Sequence, residues 1–231
     1  MENLLGGRQV LRHAPIREQV ASIIRDAIVN MQLKPGQLLI ERQLCEMTSA
    51  SRPSVREALR QLETEGLVES LNGRGTIVAT IDRELAENIY EIRAELEGLA
   101  ASLFVKRATP EERAALREAI DRLAGVVESG GKTVEILEAK NDLYDALFQG
   151  SHNPILIQFI SQLQRRVSLM RSKTLDQPGR PAESLRELQE VVAAIEANDA
   201  KGARKATTHH VNQAARVILP TIIDAAEAET E

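Results

Sequence analysis

Cysteine is nearly absent: Cys45 stands alone among 231 residues, which excludes an internal disulfide and a cysteine-rich zinc cage. Tryptophan is missing, and aromatics make up only 2% of the chain. No apolar run reaches the ~18 residues that would cross a bilayer. The opening Met1 to Gly7 has neither the basic flank nor the apolar stretch of a secretion signal. A cytoplasmic protein without a membrane partner is therefore expected. With 43% hydrophobic and 27% charged residues the chain has ordinary globular composition, which excludes collagen and simple disorder.

The formal charge of -5 is unevenly spread. Residues 1–80 carry 10 Lys+Arg and 9 Asp+Glu, a net of +1; the remainder carries 19 and 25, a net of -6. All five aromatics, Tyr90, Phe104, Tyr144, Phe148 and Phe159, fall after residue 80. Overall charge bears on solubility, not on what one patch binds.

Before residue 80, Ile16, Val20, Ile23, Ile24, Ala27, Ile28 and Met31 follow helical spacing, and Lys34-Pro35-Gly36 stops that helix. Gln37 to Ile40 reads as a short strand. Glu41 to Thr48 reads as a short helix with Leu44 and Met47 facing inward. After the Ser49-Ala50-Ser51 turn a third helix places Val55, Ala58, Leu59 and Leu62 on one face; Pro53 is tolerated because it falls in the first turn. Leu67–Leu71 and Thr76–Ala79 are strands joined by Asn72-Gly73-Arg74-Gly75. After Thr80 no strand pattern recurs. Helices are expected near 83–106, 110–128, 134–149, 154–173, 182–197 and 200–228. The fold class is mostly α. Residues 1–80 form a winged helix-turn-helix with a small β-hairpin. Residues 81–231 form an antiparallel all-α bundle.

The third helix carries the chemistry. Arg52, Arg56 and Arg60 are spaced i, i+4, i+8 along one face, while Leu59 and Leu62 bury the other. Guanidinium groups grip phosphate or guanine in a bidentate way. Ser51 and Ser54 flank the helix start, where hydroxyls and free N–H groups meet phosphate oxygens. Arg42 opens a helix that would cross the DNA backbone. Gly73 and Gly75 let the wing approach closely, and Arg74 reaches the minor groove or a phosphate. Three arginines at helical spacing are, by themselves, as well explained by a solvated face. The preceding short helix, serine turn and glycine wing favour DNA.

The runs Glu41-Arg42-Gln43-Leu44, Ser51-Arg52-Pro53-Ser54-Val55-Arg56-Glu57-Ala58-Leu59, Leu62-Glu63-Thr64-Glu65-Gly66-Leu67-Val68 and Asn72-Gly73-Arg74-Gly75 resemble the DNA-binding domain of the GntR family of bacterial regulators. The resemblance implies operator contacts from Arg42, Arg52 and Arg56, and a wing glycine in the minor groove. Pro53-Ser54 departs from a common Thr-Pro, but both keep a proline near the helix start. Arg93–Glu97, the Tyr144 to Pro154 stretch and Ala194 to His210 are similar to the FCD effector domain of the FadR-like branch. That implies a homodimer and a helical bundle with a central ligand cavity.

Many FCD domains hold a divalent metal, and the matching positions here are Lys140, Tyr144, Leu188 and His210. Only His210 keeps a ligand identity, so no metal and no cofactor are expected; Asn141 and Asp142 lie one residue from the register that would matter. Without a metal, an anionic effector would be anchored by Arg93, Arg166 or Arg171, Arg165 and Arg166 being adjacent and unable both to face inward. Tyr144 and Phe148, four apart, favour a less polar, aromatic effector, with hydrogen bonds from Tyr144 and His210 and Asn141 nearby. Plain core packing for the two rings, and a satisfied core histidine, explain these residues equally well.

The expected function is a ligand-responsive, sequence-specific repressor of a catabolic operon. It would bind a pseudo-palindromic double-stranded operator as a homodimer and be released by an organic acid or aromatic catabolite. One alternative is a constitutive DNA-binding dimer whose bundle only dimerises. A bundle enzyme is the other, weakened by the lack of a nucleophile elbow or phosphate loop and by the placement of Cys45 on a short, packed helix.

Overall fold

The computed structural model describes residues 15–222 apart from 72, 74 and 176, and leaves out the side chains of 171–174. The expected Arg74 and Arg171 contacts therefore lie outside the described residues.

Helix α1 (Ile16–Val29) buries Val20, Ala21, Ile24, Ala27 and Ile28. Two of its expected core residues face solvent. Ile16 lies on the first turn, beyond the edge of the core, and Ile23 lies one position off the buried stripe; both are exposed. Met31 falls after the helix, with φ 59°. Strand β1 is Leu38–Leu39, α2 Glu41–Thr48 and α3 Arg52–Thr64. On the eight-residue α2 only Leu44 is buried, and Met47, expected inside, is exposed. Strands β2 (Val68–Leu71) and β3 (Gly75–Val78) form the wing hairpin; β1 adds to it, giving an antiparallel sheet in the order β1-β3-β2 with Leu38 opposite Ile77 and Val68 opposite Val78.

Six helices follow: α4 (Arg83–Arg107), α5 (Pro110–Glu128), α6 (Thr133–Gln149), α7 (Pro154–Leu175), α8 (Arg180–Glu196) and α9 (Ala200–Ile218). Asp82 caps α4, Thr109 and Glu112 form a capping box on α5, and Asp199 caps α9. Helix α8 starts two residues earlier than its periodicity suggests, because Pro181 is tolerated in a first turn. Helix α9 stops at Ile218 and gives way to a 3₁₀ turn, Leu219–Thr221; Pro220 lacks the N–H that would continue the α-helix.

The bundle core centres on Phe104, Leu116, Leu123, Leu143, Leu147, Ile160, Leu188 and Ile195. A second apolar cluster joins α4, α7 and α9 through Ile89, Tyr90, Val167, Met170, Val211 and Ile218. The winged-helix core includes Leu169 of α7, so one bundle helix docks directly on the head. Packing is tight where Gly150 ends α6: a Cβ there would lie 2.3 Å from Phe104 Cε2, and Phe104 is fully buried. Gly150→Ala is expected to lose about 1–3 kcal/mol, the usual cost of overpacking, read as a lower melting temperature in calorimetry.

Candidate nucleic-acid interface and effector cavity

Helix α3 is built to present one face. Val55, Ala58, Leu59 and Leu62 anchor it, and Arg52, Arg56 and Arg60 stand exposed on the outside. Ser51 is the N-cap, accepting from Ser54 N at 3.4 Å, while the two hydroxyls lie 3.0 Å apart. Ser49 turns the chain between α2 and α3 at φ 52°. Arg42, second residue of α2, is exposed and 4.0 Å from Glu46. In the wing, Gly73 and Gly75 hold φ of 71° and 103°, conformations that favour glycine.

Two of the reading-face arginines have carboxylate neighbours. Arg56 Nε donates to Glu41 Oε1 at 2.7 Å, which holds the Glu41 carboxyl below its usual range. Arg60 Nη1 donates to Glu57 Oε1 at 2.8 Å, so Glu57 leans toward the arginine stripe. These pairs sit in water, where a phosphate competes well for the guanidinium.

Inside the bundle, helices α4, α6, α7, α8 and α9 bring a polar network together. Arg93 Nε donates to Glu97 Oε1 at 2.8 Å, and Gln164 Nε2 donates to the same oxygen at 2.8 Å. Burial opposes the Arg93 charge, but Glu97 outweighs it and raises the guanidinium pKa further. Tyr144 Oη and His210 Nε2 are 2.8 Å apart; His210 Nδ1 and Glu187 Oε2 are 2.5 Å apart. Burial pushes the imidazole pKa down to about 4, so it is neutral near pH 7. The consistent tautomer has Nδ1–H donating to Glu187 and Nε2 accepting from Tyr144, as inferred from the partners. Arg180 grips Glu187 in a bidentate way, at 2.6 and 2.8 Å. Burial works to raise the Glu187 pKa, yet the hydrogen bonds from His210 and Arg180 outweigh it and hold the carboxyl at about 2. Lys140 Nζ donates to Ser184 Oγ at 2.7 Å. Arg180 Nε and Glu97 Oε2 are buried without hydrogen-bond partners.

This cavity, lined by Tyr90, Arg93, Lys140, Tyr144, Arg180 and His210, has a volume of about 20 Å³, enough for one water. The expected effector residues thus divide. Arg93, Tyr144 and His210 meet at the cavity. Asn141 and Phe148 instead line, with Tyr144, a larger cleft of about 270 Å³ between α1 of the head and helices α6 and α7. Arg166 lies elsewhere: its Nε donates to the Glu65 backbone carbonyl at 3.3 Å, at the end of α3. Arg165 also points to the head, its Nε 3.3 Å from Glu65 Oε2. Adjacent arginines thus both serve the domain junction, because Glu65 offers a carbonyl and a carboxylate to the same turn of α7.

The metal implied by the FCD resemblance does not fit these residues. Lys140 brings a cation bonded to Ser184, Leu188 is buried and has no lone pair, and both His210 nitrogens are engaged. Asp142 pairs with Arg122 at 2.6 Å. Among the described residues no three His, Cys, Asp or Glu side chains gather to hold a metal. The polar part of α8 was not singled out from sequence. Arg180, Ser184 and Glu187 fall at i, i+4 and i+7, on the stripe that carries Leu188, Val191 and Ile195. Three polar residues on an apolar stripe were the available signal.

A winged helix with an exposed arginine-bearing reading helix, joined to a helical bundle with a polar interior, defines a two-part DNA-binding regulator. The chain belongs to the GntR family of bacterial regulatory proteins, with an FCD carboxyl-terminal domain: the profile described as "Bacterial regulatory proteins, gntR family" matches residues 16–78 and the FCD domain profile residues 88–213. It is 28% identical to the HTH-type transcriptional regulator McbR of Escherichia coli (strain K12), over 86% of this chain and 90% of McbR. It is 31% identical to the Nta operon transcriptional regulator of Aminobacter aminovorans, over 62% of this chain and 67% of that protein. The solved structure of E. coli McbR superposes with a TM-score of 0.80 at 26% identity, covering 90% of this chain and 99% of that one. These relatives are transcriptional regulators, not enzymes. Among the described residues no helix is long and apolar enough to cross a membrane.

Proposed function

We propose that the protein is a cytoplasmic, homodimeric repressor of a catabolic operon, released from a pseudo-palindromic operator by an organic acid or aromatic catabolite. Residues 1–80 are the DNA-reading head. Residues 81–231 bind effector and dimerise. Arg42, Ser51, Arg52, Ser54, Arg56 and the wing residues Gly73, Arg74 and Gly75 contact DNA. Arg93, Tyr144, His210, Asn141 and Phe148 serve the effector. Arg166 and Arg165 join the two parts.

One observation carries this reading: three consecutive residues of α7 touch both halves. Gln164 bonds Glu97 inside the bundle, while Arg165 and Arg166 meet Glu65 at the end of the reading helix. A ligand that alters the bundle interior has a direct mechanical path to α3. To act, it must bind one arrangement of the head better than the other. Exposed Ile92 on α4 and Phe159 on α7 support dimerisation, since a second copy would cover them.

The test is selection of bound fragments from genomic DNA followed by footprinting. Two protected half-sites ~34 Å apart, with two chains per DNA in sedimentation, are expected. A single half-site bound by one chain would refute the dimeric reading. The small bundle cavity favours a second reading, a constitutive DNA-binding dimer. A screen in which no small organic acid changes either operator affinity or melting temperature would select it.

A further inference from the structure

We infer that the cleft between the head and the bundle is itself a binding site, taking a small aromatic monocarboxylate between Arg25 and Arg165. This goes beyond a ligand held inside the bundle, and it rests on the reading above only for its regulatory consequence. The cleft volume of about 270 Å³ is near the lower end of small-molecule sites, and far exceeds the roughly one-water cavity within the bundle.

Charge argues for the anion. Arg25 takes both oxygens of Glu65, through Nε at 2.7 Å and Nη2 at 2.6 Å. Arg165 approaches the same carboxylate at 3.3 Å, yet its buried Nε makes no hydrogen bond. Two guanidinium groups therefore converge on a carboxylate that one of them already occupies. Burial and the nearby Arg25 both lower the Arg165 pKa, outweighing the attraction of Glu65. A carboxylate arriving from the cleft would give Arg165 Nε the hydrogen bond that its ion pair with Glu65 does not supply. Asp145 also lines the cleft and repels any negative charge there, so the ligand's charge is limited to the one carboxylate that Arg165 can answer.

The wall argues for the ring. Tyr144 and Phe148 stack with centroids 5.6 Å apart and an interplanar angle of 21°, and both line the cleft. Both rings are nearly buried, 3% and 4% exposed, so a ligand ring would meet only the margin of this stack, in offset geometry. Glu65 caps the end of α3 and also accepts from Arg166 through its carbonyl. A bound carboxylate would compete with Glu65 for Arg25 and Arg165. The head would then be held less firmly to α7, and by reciprocity a fixed head would weaken the ligand.

The test uses the full chain and three probes: benzoate, benzyl alcohol (the ring without the charge) and acetate (the charge without the ring). Titration calorimetry should show one benzoate per chain, with the other two weaker by about tenfold or more. Arg165→Met should weaken benzoate by about tenfold or more. Ser161→Trp, which fills the cleft and leaves the charges in place, should abolish binding and carries the test should Arg165→Met misfold. Benzoate should also speed amide exchange at residues 61–67. No benzoate binding at tens of millimolar, or undiminished binding in Ser161→Trp, would overturn the inference. The readout contains no DNA, so failure here leaves the reading helix unchallenged, and failure of operator binding leaves the cleft unchallenged.

Discussion

Replacing Arg52 and Arg56 together by alanine lowers operator affinity by at least about a hundredfold, each guanidinium contributing about tenfold or more as a base- or phosphate-reading group. Both side chains are exposed on α3, and the buried face of that helix, Val55, Ala58, Leu59 and Leu62, is untouched. The circular dichroism spectrum and melting point should therefore stay at wild-type values, which separates lost reading from lost folding. Arg56 also restrains Glu41, since Arg56 Nε donates to its carboxylate at 2.7 Å. Its removal leaves that carboxylate facing DNA phosphates and adds repulsion to the lost contact. Arg60→Ala should behave differently. Arg60 lies one turn beyond Arg56, paired with Glu57, and its loss should weaken all sequences alike and lower the salt slope by about 1. A gel shift across a salt series, on operator and scrambled DNA, reads both variants. Wild-type operator affinity in the double variant would remove α3 as the reading element.

How much of this was legible in the sequence depended on distance along the chain. The reading face is a local pattern: three arginines four apart, a serine cap and four apolar residues, all within Ser51 to Leu62. Periodicity alone reveals it. The helix order was equally legible, because Pro35, Pro110, Pro154 and Gly150 punctuate strongly periodic segments. Ile16, Ile23 and Met47 were misplaced because periodicity reports a face but not how far the core extends along it. The bundle interior was only half visible. Arg93 and Glu97 are one turn apart and pair locally, but the partners of His210 come from 66 and 23 residues away. No local rule distinguishes a buried Glu187 from a solvated one. The junction was the least visible part. Arg25, Glu65 and Arg165 resemble solvated charges on three separate helices, and only tertiary packing makes them one cluster.

Glu187→Gln should be strongly destabilising although it keeps residue size. Arg180 is 3% exposed and its charge is answered by Glu187 through two hydrogen bonds. An amide keeps one acceptor but not the charge, so the buried guanidinium is left with only the more distant and exposed Glu183 carboxylate, 3.8 Å away. The usual cost of breaking such a pair is about 3–5 kcal/mol, of the order of 10 °C in melting temperature for a chain of this size. His210 loses its anchor in the same step. The wild-type protein should itself be acid-labile, in two stages. The imidazole pKa is about 4 in the fold against an ordinary 6.5, so protonation favours the unfolded chain. Its contribution is complete above pH 6.5 and is lost as pH falls from 6.5 toward 4, about 3 kcal/mol in all. Glu187, at about 2 against an ordinary 4.5, adds stability that is complete above pH 4.5 and is lost as pH falls toward 2. Calorimetry between pH 7 and pH 4.5 isolates the first stage, and His210→Gln should flatten it. A wild-type melting temperature that holds constant from pH 7 to pH 4.5 would mean that the imidazole is not held neutral, and that the Tyr144–His210–Glu187 chain does not stiffen the bundle interior as its geometry requires.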